Sequence, residues 1–176
     1  MIKLNTLAII FGILALILWI GSVQVKERHN ILLVQALANF FYALQYYFLG
    51  FLSTALMNLV STIRCITFAR SAKLKKQPHE IYLITFLILI LLIAIRYCNT
   101  FLDFLPIVAT MLYTISAWLN KDSILRYVYI LCACIFSIYN YKMGAYIPLI
   151  GNFGEIISGT ISLVRFKSKR TIKQTV

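Results

Sequence analysis

The chain has 176 residues, 61% of them hydrophobic and 12% charged, with 17 Lys and Arg against 5 Asp and Glu for a net charge of +12. Soluble globular domains run at roughly 45–50% apolar and about 25% charged residues, so this composition excludes a soluble enzyme or binding domain and indicates an all-α integral membrane protein. The basic excess reads as topology and attraction to anionic lipid. No soluble segment interleaves basic and aromatic residues, which argues against nucleic-acid binding.

Apolar runs measured against the roughly 20 residues that cross a bilayer predict seven spans, near 5–24, 30–49, 51–69, 80–97, 101–119, 125–143 and 145–164. The first follows Lys3 as a secretory signal would, but the run is long and no small-residue cleavage pattern follows, so a retained helix is expected. Trp19 and Trp118, near the ends of the first and fifth spans, read as interfacial belt anchors. So do Tyr46 and Tyr47 at the end of the second span and Tyr139 to Tyr141 at the end of the sixth. The fourth, from Ile81 to Arg96, is almost pure Leu and Ile and carries no Asn, Gln or acid in its middle. The fifth is weakened at its start by Asp103 and Pro106.

A displacement of 94 positions lays Tyr47, Gly50 and Asn58 on Tyr141, Gly144 and Asn152 without a gap. It also lays Asn5 and Thr6 on Asn99 and Thr100, Gly12 on Pro106, Ala15 on Ala109 and Ser22 on Ser116. Spans one to three thereby match spans five to seven. A three-helix unit ends on the opposite side of the membrane from its start, so a second copy in the same orientation requires one extra crossing, and the fourth span supplies it. The expected plan is two parallel three-helix bundles, residues 1–70 and 99–166, joined by a basic loop and linker helix over 71–98, with a basic tail at 167–176.

The basic residues give the expected orientation. Lys26, Arg28, Arg70, Lys73, Lys75, Lys76, Lys121, Arg126, Arg165, Lys167, Lys169, Arg170 and Lys173 fall on one side of a seven-span chain, and Lys3, Arg96 and Lys142 on the other. The positive-inside rule makes the first side cytoplasmic, which places the amino terminus outside and the carboxyl terminus inside.

Polar residues within the spans are the candidate site. Thr54, Asn58, Ser61 and Cys65 recur at steps of four, three and four and so share one helical face; Pro148, Asn152, Glu155 and Gly159 occupy the equivalent stripe. At 1.5 Å per residue, Asn58 and Asn152 lie about 12 Å below the outer ends of their helices, near mid-bilayer. An amide offers donors and an acceptor that replace the lost hydration of a small polar solute, so Asn58, Asn152, Ser61, Glu155 and Thr54 are expected to bind substrate. Glu155 is the one deep acid, and burying it ionised and unpaired is costly. The expected resolution is an ion pair with Arg64, with proton coupling as the functional rival.

Cys65, Cys98, Cys132 and Cys134 show no paired extracellular framework and read as small apolar residues; two apart on a helix, Cys132 and Cys134 point about 200° from each other. His29 and His79 read as solvated loop residues without a metal-ligand partner. No cofactor or metal is expected. Gly50 and Gly144 mark tight turns.

The three-one-three plan and the matched asparagines resemble the SWEET and PQ-loop group of membrane transporters. Within it, Tyr42-Ala43-Leu44-Gln45, Leu49-Gly50, Ala55, Asn58 and Arg64 are similar to the bacterial inner-membrane YgjV family. The resemblance implies an inner-membrane location and a sugar-type pocket at Asn58 and Asn152. The chain departs from the SWEET pattern in having no Pro-Gln dipeptide and only Pro78, Pro106 and Pro148. The expected function is therefore a carrier of a small polar solute in the lipid bilayer, working by alternating access around the asparagine pair. The alternative is a non-transporting accessory or receptor protein on the same bundle. No nucleophile with a base, no ligand set and no Gly-rich phosphate loop supports an intramembrane enzyme.

Overall fold

The computed structural model describes residues 6–22, 24–98, 101–119, 121–144 and 146–174, with backbone only at 101, 122, 147 and 166–174. Lys3, the Asn5–Asn99 match, Thr100 and the basic side chains of the 167–176 tail lie outside the described residues. Among the described residues the chain is all-helical: α1 Thr6–Ser22, α2 Arg28–Phe48, α3 Leu52–Lys73, α4 Glu80–Tyr97, a 3₁₀ turn Phe101–Asp103, α5 Phe104–Trp118, α6 Asp122–Lys142 and α7 Tyr146–Gln174. Helices α2, α3, α4 and α6 are long and apolar enough to cross a membrane, and α1 and α5 are shorter apolar helices.

Two elements differ from the sequence expectation. The fifth helix begins at Phe104, behind the 3₁₀ turn, which puts Pro106 in the first helical turn, where its missing N–H leaves no bond unmade. Helix α7 does not stop near 164 but continues to Gln174. No glycine or proline follows Gly159, and the Lys- and Arg-rich stretch that closes the chain consists of good helix formers.

The two halves share their punctuation. Helices α2 and α6 begin 94 residues apart and end 94 residues apart, and α3 and α7 begin 94 apart. Gly50 and Gly144 both take the left-handed region, at φ 85° and 68°, and the turns around them are bonded alike. Leu49 N–H donates to Gln45 O and Gly50 N–H to Tyr47 O, as Met143 N–H does to Tyr139 O and Gly144 N–H to Tyr141 O.

Helix α1 packs on α2, α2 on α3, α3 on α5, α5 on α6, α6 on α7, and α7 returns to α1. Six helices therefore form a ring, with α4 outside it against α3 and α5. The α7–α1 seam is tight because Gly151 and Gly154 face it. A Cβ on either would lie 2.8 Å from Leu16 Cδ1 or Ile20 Cδ1, and Ser158 Oγ donates to Ile20 O at 3.1 Å. The α3–α5 seam carries Met57, Val60 and Arg64 at the corresponding places and is bulkier.

Polarity is inverted relative to a soluble protein. Gln35, Asn39, Gln45, Arg64, Asn140, Asn152 and Glu155 are buried, whereas Ile95, Leu92, Ile150, Ile157 and Val164 are exposed on the outer surface. Outward hydroxyls bond their own helix: Thr67 Oγ1 donates to Ile63 O and Thr160 Oγ1 to Ile156 O. That arrangement satisfies these two hydroxyls within their own helix.

Candidate substrate cavity

A cavity of about 80 Å³ lies inside the ring, with wall residues from all six ring helices. Its volume suits a few waters or one small solute. Thr54, Asn58 and Ser61 of α3 and Asn152 and Glu155 of α7, singled out by spacing, stand in this wall together with Arg64, whereas Cys65 and Gly159 of the same two stripes are not wall residues. The face shared at steps of four and three on α3 is turned inward, and Pro148, Asn152 and Glu155 form its counterpart on α7.

The wall repeats in pairs 94 residues apart. Thr54 and Pro148, Asn58 and Asn152, Ser61 and Glu155, Tyr46 and Asn140, Tyr42 and Phe136, Asn39 and Ala133, and Trp19 and Tyr113 all contribute. Each pair takes one member from each half, and most pairs differ in chemistry, so a near-symmetric frame holds an asymmetric lining.

The polar groups are held unequally. Asn58 Nδ2 donates to Thr54 O at 2.8 Å, bonding its own helix. Asn152 is 5% exposed, and its Nδ2 has no hydrogen-bond partner; a buried donor left bare costs about 1–3 kcal/mol. Asn140 Oδ1 is likewise unpartnered. Tyr46 is a hydrogen-bonding neighbour of Asn140, and Tyr139 of Thr54.

The expected Arg64–Glu155 ion pair does not form among the described residues. Arg64 Nη1 turns across the α3–α5 seam to donate to Thr114 Oγ1 and, at 3.3 Å, to Thr110 O. Its Cζ lies 5.1 Å from the Tyr113 ring centroid. These acceptors and the ring face lie on the adjoining helix, and they hold the guanidinium there. Glu155, in the other half of the ring, has the Trp19 indole nearby.

Trp19 is not a belt anchor. Its ring stacks on Tyr129 with centroids 5.9 Å apart, tilts on Tyr113 at 5.9 Å and meets Tyr42 edge-on at 6.3 Å, building an aromatic floor for the cavity. Tyr46 and Asn140, expected at the interface, are wall residues as well, while Tyr47 and Tyr141 face outward. The 94-residue displacement lays Trp19 on Tyr113, and that aromatic match was the signal available for its inward role. Trp118 stays near the helix end, where its Nε1 donates to Pro78 O at 2.9 Å.

His29 is not a solvated loop residue either: it sits in the first turn of α2, with Nδ1 2.9 Å from Ala69 O. His79 is exposed, as expected. Cys132 is buried in the wall and Cys134 exposed, in keeping with their opposed directions on α6.

Below the aromatic floor, each half reaches the first helix of the other. Arg28 of α2 donates to Ala117 O of α5. Arg126 of α6 donates to Val25 O, just after α1, at 3.3 Å, and also to Ser162 Oγ. Gln24 Nε2 donates to Ser158 Oγ of α7 at 2.8 Å. Hydrogen bonds thus cross-link the two halves at the end of the ring where α2 and α6 begin.

The profile of the Imp-YgjV family, described as bacterial inner membrane protein, matches residues 6–170. The chain belongs to this family. The inverted polarity of the ring suits a membrane protein, and the Imp-YgjV match reaches all six ring helices, ending within α7. No curated protein and no solved structure matches the chain.

Proposed function

We propose that this inner-membrane protein is a carrier for a small polar solute, built as two parallel three-helix bundles, α1–α3 and α5–α7, with α4 as linker. In this reading all seven helices span the membrane, the amino terminus is outside and the carboxyl terminus is cytoplasmic. The observation that carries the proposal is the cavity inside the ring, whose largely apolar wall carries several polar side chains and is drawn in matched pairs from both halves. Polar groups in a membrane interior are costly and mark solute pathways, and substrate sites of repeat-built transporters lie near mid-membrane at the repeat interface. Asn152 Nδ2, buried and unpartnered, is a donor waiting for an acceptor.

Alternating access then amounts to rocking one bundle against the other about the α7–α1 and α3–α5 seams. Closure at the basic end rests on the Trp19, Tyr113 and Tyr129 floor and the Arg28 and Arg126 bonds beneath it. A rival reading, a non-transporting accessory protein, draws on Asn58, whose amide is satisfied by Thr54 within its own helix, so that the stripe serves packing.

The test is solute flux into proteoliposomes with a panel of small polyols, amino acids and amines. The carrier reading expects flux of at least one class, reduced at least tenfold by Asn152→Leu in protein that still folds. Full function retained by Asn58→Leu and Asn152→Leu, with no flux of any solute, is the accessory-protein outcome.

A further inference from the structure

The cavity wall holds one buried guanidinium and one buried carboxyl group that are not joined. Arg64 is 2% exposed and Glu155 6% exposed. Opposite charges in a low-dielectric interior attract strongly, and a buried charge without its counter-charge is destabilising. Yet Arg64 is held toward α5 by Thr110 and Thr114, while Glu155 stands on α7 with Trp19 nearby. The aromatic pair Trp19 and Tyr113, with centroids 5.9 Å apart, links their surroundings: Arg64 lies over Tyr113, and Glu155 neighbours Trp19. The two groups are therefore unpaired with each other, and both line one small cavity.

Each charge also has capacity to spare. Arg64 Nε is buried with no hydrogen-bond partner, and a guanidinium edge is matched to a carboxylate. Around Glu155 stand Tyr42, Tyr46 and Tyr129, close enough to sense its charge. Aromatic faces beside a carboxylate suit a cationic nitrogen. Asn152 Nδ2, three residues from Glu155 on the same face of α7, adds an unused donor.

We propose that the cavity takes a small zwitterion, its anionic group on Arg64 and its cationic group beside Glu155 against the aromatic wall. This rests on the carrier reading and narrows it from polar solutes in general to one charge pattern. A neutral sugar-like solute would match neither the guanidinium nor a carboxylate at Glu155. A lone amine or lone carboxylate would answer only one of them. A cavity of about 80 Å³ favours a small ligand.

The experiment is ligand binding by the full chain in lipid nanodiscs, read by calorimetry and by shift of the melting temperature. The probes are glycine, proline and glycine betaine, with glycerol, ethylamine and propionate as size-matched neutral, cationic and anionic controls. At least one zwitterion should bind ten times more tightly than every control. Glu155→Gln should lose at least tenfold of that affinity while the protein melts normally. Arg64→Lys, which keeps the charge but not the planar edge, should weaken binding as well.

Glycerol binding as tightly as the zwitterions, with Glu155→Gln unchanged, overturns the zwitterion proposal and leaves the carrier reading standing. Binding of ethylamine or propionate alone overturns it in the same way. No binding of any probe overturns it too, and the flux panel then decides separately whether a carrier remains.

Discussion

A methyl group placed on Gly12 would lie 2.3 Å from Gln45 Nε2 and 2.6 Å from its Cδ. Gln45 is 1% exposed, so its amide has little room to retreat. Gly12→Ala is expected to cost about 1–3 kcal/mol through overpacking, read as a lower melting temperature, and Gln45→Ala in the same chain should return much of it. Trp19 makes a second residue-scale case. It fills the floor against Tyr42, Tyr113 and Tyr129, and Trp19→Ala should cost about 3 kcal/mol and open a solute leak, both largely spared in Trp19→Phe; an unchanged melting temperature would contradict its packing role. At this scale the sequence was legible where periodicity speaks: steps of three and four turned Thr54, Asn58, Ser61, Asn152 and Glu155 inward together. It was silent on Arg64 and marked Trp19 only through its match to Tyr113, because a side chain's partners on other helices do not show in its own spacing. Opposite charge argued for an Arg64–Glu155 pair, but Thr110, Thr114 and the Tyr113 face lie on the helix next to Arg64.

At the level of elements, the turns at Gly50 and Gly144 are the clearest test of equivalence between halves. Both have positive φ, and a Cβ at either would meet nothing within 4 Å, so only backbone strain opposes a side chain there. Gly50→Ala and Gly144→Ala should each cost about 1 kcal/mol, by similar amounts, in a denaturation experiment; Asn at either site should cost less. A large difference between the two sites would argue that the turns are unrelated. These turns were readable because glycine and the 94-residue displacement agree. The end of α7 was not: bilayer thickness limits the length of a span, but it sets no limit on a helix that runs on into water.

Across the whole molecule, the apolar exterior and polar interior define what must surround it. Helix α4 is the extreme case, with little of it buried and Ile88 half exposed near its middle. Ile88→Lys should impair insertion by about 2.5–3.5 kcal/mol on a translocon scale, measured as the inserted fraction, whereas an outward position on a soluble helix would tolerate it. Reporter fusions after residue 76 and after residue 176 should both report the cytoplasm if the positive-inside reading is right. Composition and charge made the class legible. The ring order of the helices was not, since it depends on which seams pack: Gly151 and Gly154 admit α1, and Arg64 bridges to α5.

The central claim is that the ring encloses a path reachable from both sides in turn. The direct measurement uses a functional chain with Cys65, Cys98, Cys132 and Cys134 replaced, carrying either Asn58→Cys or Asn152→Cys, and a membrane-impermeant thiol reagent applied from each side. Alternating access predicts labelling at both positions from both faces, with a cysteine in an exposed loop as the control. Labelling from one face only, or from neither while the loop control reacts, would contradict it and mark the cavity as part of a static polar core.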